Sequence, residues 1–306
     1  MEPLRLGTRG SALALAQSRM TAEAVERVTG RKVELVEVVT PGDRSSAPVQ
    51  QLGVGVFVSA LRDALLAKDI DFAVHSYKDL PTAPCEDLII AAIPGREDSR
   101  DALIARDGLT LAELPPGSRI GTGAPRRMAQ LAALGRGFDI VPIRGNVDTR
   151  ISKVINGELD AVILARAGIA RLGRAAEITE TLDPTVMLPA PAQGALAVEC
   201  RIGDPELVEA LQTLDDPATR AAVTAERTLL AALEAGCSAP VAGLAEVTNR
   251  EIYLRGAVFS PDGAIAFRLS GTGTLTDAEE VGRRLAADLL AEGANTVLGV
   301  QHDPHP

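Results

Sequence analysis

Hydrophobic positions in the first two-thirds of the chain alternate between two periods. Short apolar runs read as strands: Leu4-Arg5-Leu6-Gly7, Lys32 to Thr40, Phe72-Ala73-Val74-His75, Leu88 to Ile93 and Ala102 to Ala105. Between them lie stretches with helical spacing. Ser11 is placed to cap a helix from Ala12 to Val28, with Gly30 just past its end. Phe57, Leu61, Leu65 and Leu66 mark another from Val56 to Lys68. A second unit begins near residue 100. Strands at Arg119 to Thr122, Ile140 to Ile143 and Ala161 to Leu164 alternate there with helices from Pro125 to Ala133 and Asp148 to Ile155. Such βα repetition predicts α/β units with parallel or mixed sheets and helices on both faces. Ligands of such sheets gather at the strands' carboxyl ends, and two units side by side predict a cleft.

After Asp215-Asp216-Pro217 the pattern changes. A helix from Ala218 to Glu234, strands at Glu251 to Phe259 and Ala264 to Ser270, and a helix from Asp277 to Ala291 predict a small α+β domain with an antiparallel sheet. No repeat or low-complexity segment interrupts the chain.

With 306 residues, 46% hydrophobic and 24% charged, this is the balance of a globular protein of two or three domains. No apolar run reaches the length of a membrane span, and Met1-Glu2-Pro3-Leu4-Arg5-Leu6 has no signal-peptide pattern, so a cytoplasmic protein is expected. The formal net charge of −10 disfavours nucleic acid or an anionic membrane as partner, and 2% aromatics leave little for base stacking. Cys85, Cys200 and Cys237 form no CxxC pair, and with His75, His302 and His305 they give no zinc-ligand spacing, so no metal site is expected. His302 and His305 fall in a terminal tail that reads as disordered.

Only four of the 31 cationic side chains are lysines (Lys32, Lys68, Lys78, Lys153); the rest are arginines, whose planar fork suits bidentate binding of carboxylates and phosphates. They recur at predicted strand-to-helix loops: Arg9, Lys78, Arg126, Arg127, Arg144 and Arg150. That placement predicts a cleft for a multiply anionic ligand. Nucleotide motifs fail: Gly121-Thr122-Gly123-Ala124-Pro125-Arg126 has Arg where a third Gly is needed, and no GxxxxGK[ST] occurs. Asp79, between Lys78 and Leu80-Pro81, reads either as a turn residue before proline or as a carboxylate for proton exchange and cation stabilisation. Cys237, in Glu234-Ala235-Gly236-Cys237-Ser238-Ala239-Pro240, reads either as an inert loop thiol or as a nucleophile or attachment point.

Several separate stretches together resemble the porphobilinogen deaminase (hydroxymethylbilane synthase) family. They are Thr8-Arg9-Gly10-Ser11-Ala12-Leu13-Ala14-Leu15-Ala16-Gln17, His75-Ser76-Tyr77-Lys78-Asp79-Leu80-Pro81, Gly121-Thr122 with Arg126-Arg127, Arg144-Gly145-Asn146-Val147-Asp148-Thr149-Arg150, Pro189-Ala190-Pro191-Ala192-Gln193-Gly194, and Glu226-Arg227 leading to Gly236-Cys237. The resemblance implies two domains like type II periplasmic binding proteins, 1–97 with 195–214 and 98–194, followed by a third domain, 215–306, that presents the cysteine. It implies a transferase of porphyrin and haem biosynthesis, monomeric, that joins four porphobilinogens head to tail into hydroxymethylbilane and releases ammonia. It implies a dipyrromethane cofactor held by a thioether to Cys237, with Asp79 as catalytic carboxylate. Cofactor contacts would come from Lys78, Thr122, Arg126, Arg127 and Arg144, and substrate contacts from Arg9, Ser11, Arg150 and Arg171.

The bottom-up chemistry agrees. Porphobilinogen carries an acetate and a propionate, so a growing chain gathers carboxylates that need guanidinium partners. Loss of ammonia leaves an electron-poor azafulvene, and an ionised Asp79 could stabilise the cations formed around it. Two departures from the family pattern stand out. Gly53-Val54-Gly55 and Ser59 replace a Gly-Lys-Gly and a later Lys of a loop over the cleft, and Gly123-Ala124-Pro125 replaces a favoured Ser-Ser. The rival from another class, a non-catalytic anion receptor on the same fold, gives no reason for a third domain bearing a cysteine.

Overall fold

The computed structural model describes residues 2–39, 58–234 and 239–298. Thr40, the Gly53-Val54-Gly55 stretch, Val56 and Phe57 at the start of the expected helix, Cys237 and the terminal histidines lie outside them. Two compact units emerge: residues 1–98, 167–175 and 193–220, and residues 99–166, 176–192 and 221–306.

The first unit is built on a five-stranded mixed sheet, order β2-β1-β3-β10-β4. Its strands are β1 (Leu4–Thr8), β2 (Val33–Glu37), β3 (Phe72–Ser76), β4 (Leu88–Ala92) and β10 (Leu196–Arg201). β1 runs parallel to both β2 and β3, while β10 is antiparallel to β3 and β4. Between β1 and β2 runs α1 (Ala12–Thr29), which starts where the Ser11 hydroxyl accepts the Ala14 N–H and stops at left-handed Gly30. α2 (Ser59–Leu66) buries Leu61 and Leu65 with Ile70, Ala73 and Leu88 on one face of the sheet. On the other face, Ala22 and Val25 of α1 meet Leu4, Leu6, Phe72, Val198 and Leu211. Leu211 belongs to α6 (Pro205–Gln212).

The second unit repeats this plan in the sheet β7-β6-β8-β5-β9. Its strands are β5 (Asp101–Ala105), β6 (Arg119–Thr122), β7 (Asp139–Pro142), β8 (Ala161–Ala165) and β9 (Glu180–Thr181). Its helices are α3 (Pro125–Ala133) and α4 (Val147–Ile155); α5 (Arg166–Arg171), which follows β8, falls in the first unit from Ala167 onward. The same unit holds a three-stranded antiparallel sheet of β11 (Val241–Thr248), β12 (Glu251–Phe259) and β13 (Ala266–Thr274). α7 (Pro217–Ala232) and α8 (Ala278–Ala291) pack on it, with Ala225, Leu229, Ile252, Leu254, Val281, Leu285 and Leu289 as core. The two helices cross closely at Gly282, where a Cβ would stand 2.5 Å from the Ala225 carbonyl oxygen. Ala129 of α3 and Leu188 join Ala242, Leu244, Ala257 and Phe259 in a further cluster.

The sequence pattern predicts two strands in this last sheet, and the structure has three. β11 begins with five consecutive buried residues, Val241-Ala242-Gly243-Leu244-Ala245, so it shows none of the alternation that marks a half-buried strand. β10 escapes the pattern for the same reason, its first five residues all being buried. α5 and α6, of six and eight residues, are too short to set up a clear helical period.

Candidate functional site

In the first unit the relevant side chains stand at the carboxyl ends of β1 and β3. Arg9 leaves β1 directly, half-buried, and Ser11 serves as N-cap of α1. β3 passes into a single 3₁₀ turn, Tyr77–Asp79, which leaves the Asp79 side chain exposed while Leu80 is buried behind it. The Tyr77 N–H anchors this turn on the Ala195 carbonyl, 3.0 Å away.

Lys78 is aimed by a residue that sequence reasoning missed. Its Nζ donates to Oε1 of the buried Gln193 at 3.2 Å. The neighbouring carbonyls recruit further arginines: Arg96 Nε donates to the Gln193 carbonyl (2.8 Å) and Arg171 Nη2 to the Gly194 carbonyl (2.6 Å). The Arg171 Nε is buried without a hydrogen-bond partner. Burial lowers the pKa of Arg171, partly countered by Glu97. Thus the Gln193-Gly194 turn organises Lys78, Arg96 and Arg171 together. The signal was available, since Pro189-Ala190-Pro191-Ala192-Gln193-Gly194 is one of the stretches behind the family resemblance, although its glutamine carries no chemistry by type.

In the second unit the residues gather around the start of α3. Pro125 opens that helix, so Arg126 and Arg127 lie in its first turn, and both are 4% exposed. They share Asp101, the first residue of β5: Arg126 Nη1 donates to Oδ2 and Arg127 Nη2 to Oδ1, each at 2.7 Å. Arg126 Nη1 also donates to the Leu188 carbonyl and Arg127 Nη1 to that of Ile163. Burial pushes the Asp101 carboxyl upward, but the two guanidiniums outweigh it and hold it far below the usual carboxylate range. Asp101 was not predicted; its one signal is a charge opening an otherwise apolar strand.

Arg150 donates through Nε to the Gly145 carbonyl at 2.8 Å. Burial, and then the charges of Arg127 and Arg144, push its guanidinium below the ordinary value. Arg127 and Arg144 are thus both close enough to act on Arg150, and the buried Arg127 Nε has no hydrogen-bond partner. Thr122 lies beside them at the end of β6, its hydroxyl accepting the Ala124 N–H at 3.3 Å. At Gly123 a Cβ would stand 2.6 Å from the Ile143 carbonyl oxygen and 3.9 Å from Arg150 Nη2. A side chain there would collide with backbone, which gives the glycine a local reason. Clustered, part-buried guanidiniums with an unfilled donor suit a ligand rich in carboxylates, and a dipyrromethane bearing acetates and propionates has that character.

The predicted residues thus fall in two sets: Arg9, Ser11, Lys78, Asp79 and Arg171 in one unit, and Thr122, Arg126, Arg127, Arg144 and Arg150 in the other. Arg126 has its recorded hydrogen bonds directed inward, to Asp101 and Leu188. Cys237 lies outside the described residues.

Comparison with known proteins agrees with this chemistry. Residues 4–209 match the family model described as porphobilinogen deaminase, dipyromethane cofactor binding domain, and residues 220–291 match the porphobilinogen deaminase C-terminal domain. A porphobilinogen deaminase of Nocardia farcinica is 60% identical over 305 residues, covering 97% of this chain and 88% of the relative. One from Mycolicibacterium paratuberculosis is 55% identical over 311 residues, covering 98% of each. Among solved structures, a periplasmic substrate-binding protein from Coxiella burnetii aligns with a TM-score of 0.45 at 13% identity, covering 71% of this chain and 94% of that one. Matched through nearly its whole length, the chain belongs to the porphobilinogen deaminase family, transferases that polymerise porphobilinogen in tetrapyrrole synthesis.

Proposed function

We propose that this chain joins four porphobilinogen molecules head to tail into hydroxymethylbilane, with Asp79 as its catalytic carboxylate and a dipyrromethane carried as a thioether on Cys237. The observation that carries the reading is the placing of Arg127 and Arg144 close enough to act on the part-buried Arg150, together with the unfilled donor of Arg127 Nε. Cations brought close in a part-buried place favour the arrival of anionic groups, which supports a polycarboxylate as ligand.

Each residue then has a task. Lys78, Arg127 and Arg144, with Arg126 and Thr122 supporting them, hold the cofactor's carboxylates. Arg9, Ser11, Arg150 and Arg171 receive those of porphobilinogen and of the growing chain. The Gln193 side chain fixes Lys78, and the Gly194 carbonyl fixes Arg171. When bound, the dipyrromethane supplies a nucleophilic pyrrole carbon and a covalent anchor. Asp79 is exposed at the tip of a rigid 3₁₀ turn, so it can approach the aminomethyl group of porphobilinogen without first being unburied. Its carboxylate stabilises the positive charge that develops as ammonia departs and exchanges the protons of amine loss and rearomatisation.

We also place the chain in the cytoplasm as a monomer with no nucleic-acid partner, and divide it into working domains at 1–97 with 195–214, 98–194 and 215–306. Supporting the first of these, no helix among the described residues is long and apolar enough to cross a membrane. A net charge of −10 disfavours nucleic acid. Supporting the division, each of the three sheets has its own hydrophobic cluster.

The test is the intact mass of the denatured protein as purified, beside Cys237→Ala. The expected result is an excess equal to two porphobilinogens less two ammonias, absent from the variant. A bare polypeptide that stays bare after incubation with porphobilinogen would refute the reading and favour the anion receptor.

A further inference from the structure

Behind the Asp79 turn lies a polar cluster that anion binding does not require. The side chains of His75 on β3 and Glu199 on β10 are 4% and 2% exposed. The strand register pairs Ala73 with Glu199 and His75 with Ala197, which makes His75 and Glu199 diagonal neighbours on one face of the sheet. His75 Nε2 stands 3.0 Å from Glu199 Oε2. From α2, Arg62 donates to Oε1 through both Nη2 (2.8 Å) and Nε (3.0 Å). Among the described residues His75 and Arg62 are the charged and titratable groups that act most on Glu199, the buried thiol of Cys200 follows it on β10, and its register partner on β4 is the apolar Ile90. Burial pushes Glu199 upward, but the hydrogen bonds and charges of His75 and Arg62 outweigh it and keep the carboxylate below its ordinary range. An ionised Glu199 only accepts, so Nε2 of His75 carries the proton between them.

A buried ion pair is weak evidence for stability, because apolar residues of similar volume often serve as well. What it provides is a fixed geometry, and the neighbouring packing shows which geometry matters. Val58, one turn ahead of Arg62 in α2, is buried with Leu80 and Ala197, and Tyr77 packs against the same cluster. Leu80 and Tyr77 flank Lys78 and Asp79 on both sides. The position of α2 therefore reaches the catalytic turn through Val58 and Leu80, and the position of β3 reaches it through His75.

We propose that Arg62, Glu199 and His75 are positioning residues for the reaction: the network locks α2 onto β3 and β10 so that Val58 buttresses Leu80 and sets the aim of Asp79. This inference rests on the reading of Asp79 as the catalytic carboxylate. Neither Arg62 nor Glu199 touches the anion-binding set, so their loss should act on turnover rather than on substrate affinity.

The experiment compares holoenzyme of the wild type, Arg62→Met, Glu199→Gln and the double variant, reading kcat and KM for porphobilinogen separately. For Arg62→Met we expect kcat to fall roughly 10- to 100-fold, the scale of a small misplacement of a reacting group. KM should stay within about twofold, since no contact to substrate is removed. The double variant should turn over faster than Arg62→Met, having no uncompensated charge left. Unchanged kcat in Arg62→Met, a change confined to KM, or a double variant no faster than Arg62→Met would overturn the proposal. The underlying reading fails differently: Asp79→Asn with wild-type turnover would remove Asp79 as the target while leaving the kcat loss in Arg62→Met intact.

Discussion

Asp101→Asn is the substitution that most directly probes how the basic site is held together. The carboxylate is fully buried and each oxygen receives one guanidinium at 2.7 Å, from Arg126 and from Arg127. Asparagine preserves shape but removes the charge, and its NH₂ group must face one of two cations that are themselves 4% exposed. Removing one partner of a buried ion pair costs about 3–5 kcal/mol, because it leaves uncompensated charge behind. Both arginines keep one backbone acceptor, Leu188 or Ile163, which argues for the lower half of that range. The assay is urea unfolding followed by circular dichroism on cofactor-free protein, with thermal scans beside it. For units of this size a loss of about 3–5 kcal/mol corresponds to roughly 6 to 20 °C in Tm. The pH dependence provides a second reading. The folded pKa of Asp101 is depressed, so its stabilisation is present above the unfolded carboxylate value and is lost as pH falls through the folded one. The wild type should therefore exceed the variant at neutral pH, with the gap closing only in strong acid. A difference below about 1 kcal/mol at neutral pH would show that the arginines do not depend on Asp101, and would remove the account of how the site is preorganised.

Three further outcomes follow from the same geometry. Gln193→Leu deletes an acceptor of Lys78 Nζ, so kcat/KM for porphobilinogen should fall roughly 10- to 100-fold, as for loss of a hydrogen bond to a charged group, and an unchanged kcat/KM would remove Gln193 from the site. Gly123→Ser puts a Cβ 2.6 Å from the Ile143 carbonyl oxygen; we expect a Tm lower by several degrees and weaker retention of dipyrromethane by intact mass, and a variant of wild-type Tm would show that the loop yields easily. Burial pushes the Cys200 thiol up to about 12, so a thiol reagent at mildly alkaline pH should leave it unlabelled until the protein unfolds, while the half-buried Cys85 reacts in the native state. Peptide mapping of labelled native protein checks this directly, and label on Cys200 would refute it.

Local signals determined most of the regular elements. Ser11 and Gly30 bound α1, Pro125 opens α3, and Asn146 caps α4, because caps and turns act within a few residues of themselves. The recurrence of arginine after strands marked an anionic ligand for the same reason: helix starts and strand ends are local features, and a cation beside one is legible without the fold. The motif stretches, read through family resemblance, supplied the identity of that ligand.

What only the tertiary structure decided involves partners distant in the chain. Asp101 clamps Arg126 and Arg127 from 25 and 26 residues away, and the 115-residue span from Lys78 to Gln193 is invisible to any window of local pattern. Glu199 meets His75 and Arg62 from separations of 124 and 137 residues, because β10 returns late in the chain to lie antiparallel beside β3. Strands buried on both faces, such as β10 and the start of β11, carry no alternation, so their existence too waited on the sheet. Burial then sorted the arginines: the same residue type became a locked structural cation at Arg126 and, at Arg150, a part-buried charge acted on by Arg127 and Arg144, a distinction that depends on desolvation and neighbours and has no counterpart in the sequence.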